Sequence, residues 1–523
     1  MASGFVIRKN EYYDSVFLMR VARRIADQPG VAQAAALMGT GKNKDLLAEI
    51  GIGGPEIAAA TPNDLILAVV AESQETVASV LERIDDWLRR EPTGAAQAAI
   101  RTLDEAIARQ PHSNLAVISV PGQYAAPEAR RALERGLNVF LFSSNVPLES
   151  ELALKRYARE RGLIVMGPDC GTALVGGVGL GFANAVRRGP VGAVGATGTG
   201  LQEFTTLVHQ GGSGISHAIG VGSHDLADAI GGISTLSALD ALEADAGTRV
   251  IAILSKPPGP AAHAVLMQRL NRCRKPVVAC FLGLRGEPPG AGGPYRPART
   301  LDEAARLSIE LATGHPPAQW PAGPDLGALV QRERSRMRPE QRYIRGIFAG
   351  GTFCYQAQQI LQDAGLGAHS NTPLVGNVRL ADVNRSVEHT LVDMGADEFT
   401  QGRPHPMIDS TLRRERVLAE AQDPEVAVLL LDFVLGYNAS PDPAGELVEA
   451  IVEARRAADR RGGSLGVMAS VCGTESDPQG LSQQRRLLEE AGVVVLWSSA
   501  LAARCAARLA ASLQEAERGE RGG

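Results

Sequence analysis

The sequence predicts an α/β protein: doubly wound parallel sheets preceded by a small α+β domain. Three observations carry that expectation. From about residue 113 onward, short apolar runs alternate with amphipathic helical stretches, the pattern of parallel strands joined by crossover helices. The run Val191–Val194 leads through Gly195-Ala196-Thr197-Gly198-Thr199-Gly200 into a helical pattern at Leu201. Around Ile347-Phe348-Ala349-Gly350-Gly351-Thr352-Phe353 the same order returns: strand, Gly-rich turn with Thr, helix. Each turn leaves backbone N–H groups free at a helix start, where the helix dipole favours an anion. Two such turns suggest a phosphate held between two helix ends.

Composition sets bounds on function. The 523 residues imply three or four domains, and 45% hydrophobic and 21% charged residues are ordinary for a globular chain. A formal net charge of −5 argues against nucleic acid as the main partner. The six cysteines (Cys170, Cys273, Cys280, Cys354, Cys472, Cys505) are scattered with no CxxC, so neither a disulfide framework nor a metal site is expected. The first residues carry charges where a leader would be apolar, and no stretch of roughly 18 apolar residues occurs. A cytoplasmic protein without a membrane span is the expectation.

Element by element, Gly4–Ile7, Val31–Met38 and Leu65–Val70 read as strands, with helices over Asp14–Asp27 and Glu75–Trp87. These make the small α+β domain, residues 1–110. Gly39-Thr40-Gly41-Lys42-Asn43-Lys44 lacks the first glycine of a P-loop and has Asn after Lys, so it reads as a polar loop. Residues 111–187 form a first parallel unit with strands at Leu115–Val120, Val139–Phe142 and Leu163–Met166. A second unit, 188–314, has strands near 191–195, 217–221, 249–254 and 276–282. The Pro-rich stretch from His315 to Pro324 opens a linker, 315–341. A third unit, 342–515, has strands near 344–348, 426–432, 466–470 and 493–497 and a helix over Glu446–Arg460. Units two and three open on the same device, as two copies of one domain would. A polar tail, 516–523, is expected to fray.

Candidate site residues follow from these placements. Thr197, Gly198, Thr199 and Gly200 on one side, and Gly350, Gly351 and Thr352 on the other, suit a phosphate; plain tight turns are the alternative. In open parallel sheets ligands sit beyond strand C-termini. That places Pro121 and Gly122, Asn145, and Asp169 and Cys170 at a common edge. His217 could line the same cleft beside Gly220 and Gly222, or be structural; Cys170 has no histidine near it in sequence and reads by default as an inert thiol. Residues 391–416 hold a dense polar cluster: Asp393, Glu398, Arg403 and His405 among glycines and prolines. Arg403 could clamp a carboxylate and His405 could move a proton near neutral pH. A solvated loop is the alternative.

These residues resemble a known family. Gly167-Pro168-Asp169-Cys170 resembles the Gly-Pro-Asn-Cys turn of the succinyl-CoA synthetase α subunit, and residues 192–203 its strand and "power helix". Ile219-Gly220-Val221-Gly222 and Lys275-Pro276-Val277-Val278 fall in the matching order. Residues 344–510 resemble the ligase domain of the β subunit. The whole chain is similar to the FdrA proteins, described as acyl-CoA-synthetase-like. The resemblance implies a Rossmann-like CoA-binding-type domain at 111–187 and two flavodoxin-like ligase domains at 188–314 and 342–515.

The departures bear on chemistry. Where the synthetases carry a phosphorylated histidine, this chain reads Gly286-Glu287-Pro288-Pro289-Gly290, and no histidine lies between 263 and 315. The supporting carboxylate is also missing, since the strand near 254 ends in Ser255-Lys256-Pro257-Pro258. Residues 1–110 are too short for an ATP-grasp module. A phosphohistidine relay from ATP is therefore not expected. The resemblance links FdrA proteins to oxamate carbamoyltransferase of allantoin-type nitrogen degradation, as one subunit of a multi-protein enzyme. It implies carbamoyl phosphate or another acyl phosphate as substrate, with other subunits as partners and CoA as a possible ligand. The alternatives are an ADP-forming acyl-CoA synthetase of the succinate-CoA ligase type and a non-catalytic scaffold or regulatory subunit.

Overall fold

The computed structural model describes residues 2–521 except 12, 14, 50, 90–99, 101, 285–294, 322 and 402. The turn at 286–290, where the synthetase histidine would stand, lies outside the described residues. The chain forms two compact units, residues 1–109 with 400–404 and residues 110–399 with 405–523.

In the first unit the strand Leu65–Ala71 lies between Ala2–Arg8 and Val31–Met38, antiparallel to both. Its alternation explains the packing. Leu65, Leu67 and Val69 face one way, onto Leu18, Val21 and Ile25 of the helix Ser15–Ala26 and Val77 of the helix Gln74–Glu82. Ile66 and Ala68 face the other way, onto Leu47, Ile52 and Ile57. The expected polar loop at 39–44 is instead a helix start: Gly41–Glu49 is helical, and Thr40 Oγ1 accepts from Asn43 N at 3.4 Å.

The second unit holds three sheets. The parallel strands Leu115–Ile118, Asn138–Leu141 and Val165–Met166 form the first. The second has seven strands in the order Tyr295–Ala298, Val277–Phe281, Val250–Ser255, Arg188–Gly195, Ile215–Gly220, Thr172–Val175, Val178–Gly181. The hairpin of the last two strands is antiparallel and joins this sheet rather than the preceding one, so the second sheet begins at Thr172. The third runs Val378–Arg379, His369–Ser370, Thr390–Asp393, Tyr343–Phe348, Val426–Val434, Gly466–Cys472, Val494–Leu496, all parallel.

Sheets two and three share a topology. Arg188–Gly195 sends the chain first to Ile215–Gly220 on one side and then to Val250–Ser255 on the other. Tyr343–Phe348 likewise lies between Thr390–Asp393, reached after the short outer strands His369–Ser370 and Val378–Arg379, and Val426–Val434. Each is a topological switch point, where a crevice opens beyond the strand C-terminus. The helices Gly198–Gln210 and Gly351–Asp363 start at these two crevices. One apolar core spans both sheets: Phe204 and Leu207 of the first helix, Phe353 and Leu361 of the second, and Ala503 and Leu509 of the C-terminal helix Ser499–Arg521.

The linker and the tail differ from expectation. Residues 326–334 form a helix, Leu326–Arg334, capped by Asp325. Trp320 packs edge-on against Trp497 with centroids 5.1 Å apart, so the Pro-rich stretch is held by apolar contact. The final helix continues to Arg521, past the point where fraying was expected.

Candidate active site

The two Gly-Thr turns meet. Thr197 is the N-cap of the helix Gly198–Gln210, its hydroxyl accepting from Gly200 N at 3.3 Å, and the same hydroxyl is hydrogen-bonded to Thr352 Oγ1. The backbones interleave closely. A Cβ on Gly200 would lie 3.1 Å from Thr352 Cγ2, and one on Gly350 would lie 3.0 Å from Thr199 Oγ1. The N–H groups of Gly198, Thr199, Gly351 and Thr352 have no partner among the described residues. Four free donors and the positive ends of two helix dipoles converge there, as an oxyanion requires.

A buried carboxylate braces the second turn. Asp432 accepts from Ala349 N and Gly350 N, both at 2.8 Å, and from Arg413 Nη2 at 3.0 Å. Arg413 Nη2 also donates to the carbonyls of Ile347 and Asp432 at 3.1 and 2.7 Å. The amides before the helix are thus spoken for, and those inside its first turn are left for a ligand. Beneath the first helix, Glu203 accepts from Ser499 N at 2.7 Å and Ser499 Oγ at 2.6 Å, capping the C-terminal helix. Burial pushes the Glu203 carboxyl up to about 7, against those two hydrogen bonds.

A cavity of about 80 Å³ opens beside the first turn, lined by Asp169, Cys170, Thr172, Thr197, Gly198 and Ser223 among others. Its size suits a carboxylate- or amide-bearing fragment, with room for more than one water. Gly220 is required in its wall, because a Cβ there would stand 2.3 Å from Thr172 O and 2.5 Å from Cys170 Sγ. Asp169 Oδ2 accepts from Ser223 Oγ at 3.1 Å. Desolvation raises the Asp169 carboxyl above its usual range, opposed by that hydrogen bond and by the charge of His224. Burial pushes the Cys170 thiol up to about 12, so it is a wall rather than a nucleophile. The loop 221–225 is fixed from behind by Lys155, which is buried and paired to Glu151 at 2.7 Å and Asp225 at 2.8 Å.

Of the polar cluster, the structure brings Asp393 and His405 together. A Cβ on Gly395 would lie 3.2 Å from Asp393 Oδ1 and 2.8 Å from His405 Nε2. Asp393 ends the strand beside Phe348, and a Cβ on Gly351 would lie 2.4 Å from its Oδ2. Burial pushes the Asp393 carboxyl up to about 6, with the charge of Lys256 opposing. His405 was expected to titrate near neutrality and does not: burial pushes it down to about 4. Its Nδ1 accepts from Met407 N at 3.2 Å, which assigns the ring proton to Nε2. Glu398 is exposed on the short helix Asp397–Thr400, its charge opposing ionisation of Asp393. Arg403 is exposed on 400–404, which belongs to the first compact unit, and its N donates to Thr400 O at 3.2 Å.

Other expected residues fall elsewhere. Pro121 and Gly122 open the helix Gly122–Glu134, and Asn145 follows the strand Asn138–Leu141; none of them lines the 80 Å³ cavity. His217 does not line it either. Its Nδ1 accepts from Gly176 N at 3.1 Å and its Nε2 lies 3.7 Å from Asp245, so it steadies the hairpin turn. A larger cavity, about 490 Å³, opens at the opposite end of the third sheet around Arg342, Tyr343, His369 and His389. It lies beyond strand N-termini and the C-terminal end of the helix Gly351–Asp363, a setting that disfavours anions.

Sequence comparison places the CoA binding domain on the second sheet, not on residues 111–187 where the resemblance put it. Residues 347–509 match the CoA-ligase family model, 186–283 the CoA binding domain, and 1–105 the AllF heavy metal-associated domain. The chain is 43% identical over 500 residues to the Escherichia coli (strain K12) protein YahF, spanning 95% of this chain and 97% of YahF. It belongs to the FdrA-like family of the succinyl-CoA-synthetase superfamily. Subunit alpha 1 of the ADP-forming succinate–CoA ligase of Archaeoglobus fulgidus is 28% identical over 233 residues, covering 44% of this FdrA-like chain and 75% of that one. Among solved structures, the apo form of the dinucleotide forming acetyl-coenzyme A synthetase 1 of Ca. Korarchaeum cryptofilum aligns over 77% of this chain and 85% of its own. The identity is 19% and the TM-score 0.32. The heavy-metal label does not fit the donors of this N-terminal domain. Residues 1–105 contain no cysteine and no histidine. Nor do three His, Cys, Asp or Glu side chains converge as a metal site anywhere among the described residues.

Proposed function

We propose that this chain binds an acyl phosphate between its two helix N-termini and serves as the carbamoyl-transferring subunit of an oxamate-carbamoyltransferase-type enzyme. It uses neither phosphohistidine nor an ATP-grasp module. The observation that carries this reading is the meeting of Thr197 with Thr352, which converges four free N–H groups. When an acceptor nitrogen attacks the carbamoyl carbon, the C–O bond to phosphate breaks and inorganic phosphate leaves. The amides and hydroxyls stabilise the charge that develops on it. Asp393, beside the same turn, takes the proton lost by the acceptor nitrogen, and the neutral His405 donates from Nε2. Asp169 favours a carbamoyl over a succinyl group, because a carboxylate in the cavity wall accepts from an amino group and repels a second carboxylate.

An ADP-forming acyl-CoA ligase is the second reading, favoured by the CoA binding and CoA-ligase matches. Thermal melting of the full chain separates the two. Carbamoyl phosphate is expected to raise the melting temperature with CoA and ATP inert. Stabilisation by CoA alone would reverse the order, and no shift with any of the three would favour a scaffold.

A further inference from the structure

We propose that Lys256 supplies the cation that closes on the phosphoryl oxygens in this cleft, a role that rests on the acyl-phosphate reading above. Leu254 is in register with Gly195 on the adjacent parallel strand, and its carbonyl accepts from Ala196 N at 3.0 Å. Lys256 and Thr197, each two residues further on, therefore leave neighbouring strands at the same level. The Lys256 ammonium stands 5.0 Å from the ring centroid of Tyr355, one turn into the helix Gly351–Asp363. Among the described residues it has no ion pair and no hydrogen bond.

The ammonium stands beside the first turn of a helix, where the dipole is positive, and Asp393 is a carboxylate close enough for its charge to be felt. An anion between the ammonium and the free amides is attracted by both. Asp393 borders the same cleft. It is only 8% exposed, its Oδ1 accepts from Gly395 N at 2.9 Å, and its Oδ2, lying against Gly351, has no hydrogen-bond partner among the described residues. Lys256 offsets its charge, which leaves Oδ2 open to take the acceptor's proton.

Calorimetric titration of the full chain with inorganic phosphate tests this, using wild type, Lys256→Met, Lys256→Arg and the double variant Thr197→Val/Thr352→Val. Lys256→Met is expected to weaken phosphate binding about tenfold or more, the size of a charge-assisted contact, with Lys256→Arg close to wild type. The wild-type affinity should also fall more steeply with NaCl than that of Lys256→Met. Wild-type affinity in Lys256→Met, beside weakened binding in the threonine variant, would overturn the lysine's role and leave the cleft. Absence of phosphate binding by the wild type would overturn both. Lys256 is exposed, and matching melting curves exclude misfolding as the cause.

Discussion

The hydroxyls of Thr197 and Thr352 are hydrogen-bonded to each other although 155 residues separate them in sequence. Two hydroxyls carry two protons, and the mutual bond uses one. The other is free for a ligand oxygen, so the pair is at once a clasp between two helix ends and a donor.

Thr197→Val and Thr352→Val should each weaken phosphate binding about fivefold, for roughly 1 kcal/mol per lost hydrogen bond. Thr197→Val should in addition cost about 1 kcal/mol of stability, because it removes the cap on Gly200 N. Calorimetry and urea unfolding on the same samples check the two effects separately.

Arg413→Met should be the more damaging change, although Arg413 touches no ligand. It strips the cation from buried Asp432 and leaves a carboxylate supported by two amides alone. A loss of about 3 kcal/mol is expected, and adding Asp432→Asn should restore part of it. Urea unfolding of the single and double variants measures the coupling.

Glu203 should make stability pH-dependent in an unusual direction. Its carboxyl rises from 4.5 to about 7 on folding. The folded chain therefore keeps a proton that the unfolded chain has released. The contribution is full below about pH 4.5 and is lost as pH rises through about 7. Carboxylates held low, such as Glu151 and Glu243, slope the other way, so the measurement is a difference. Wild type should lose stability relative to Glu203→Gln between about pH 5 and 8, and parallel curves in urea unfolding would refute it.

Cys170 should not react with a thiol reagent at about pH 8 while the chain is folded, given a thiol pushed up to about 12. Cys273 is partly exposed and the other five are buried. Fast labelling mapped by peptide mass analysis should therefore fall on Cys273, and label on Cys170 in native conditions would contradict its assignment as cavity wall.

The sheets were legible because their strands are buried on both faces. Residues 426–432 and 191–195 read as apolar runs with no competing helical period. The two turns were legible because glycine and threonine between an apolar strand and a helical period mark a tight turn with a capped helix start. What sequence could not carry was charge inside the core. Asp432 with Arg413, and Glu203 with Ser499, are partners 19 and 296 residues apart, and nothing local marks any of them as buried. His217 and His405 show the same limit in reverse. Both are histidines near glycines, yet one binds a hairpin amide and the other is neutral in a cleft, which only packing decides. Lys256 was visible as a missing carboxylate, and its new role needed the register of Leu254 with Gly195.

The stretch that joins the two halves is anchored, by Trp320 on Trp497 and by the helix Leu326–Arg334 against the C-terminal helix. Both helix ends therefore belong to one covalent chain and close on each other by a unimolecular step. Dilution cannot separate them, and their ratio is fixed at one to one by translation itself. The cleft between the two helix ends is therefore assembled in the act of folding one chain.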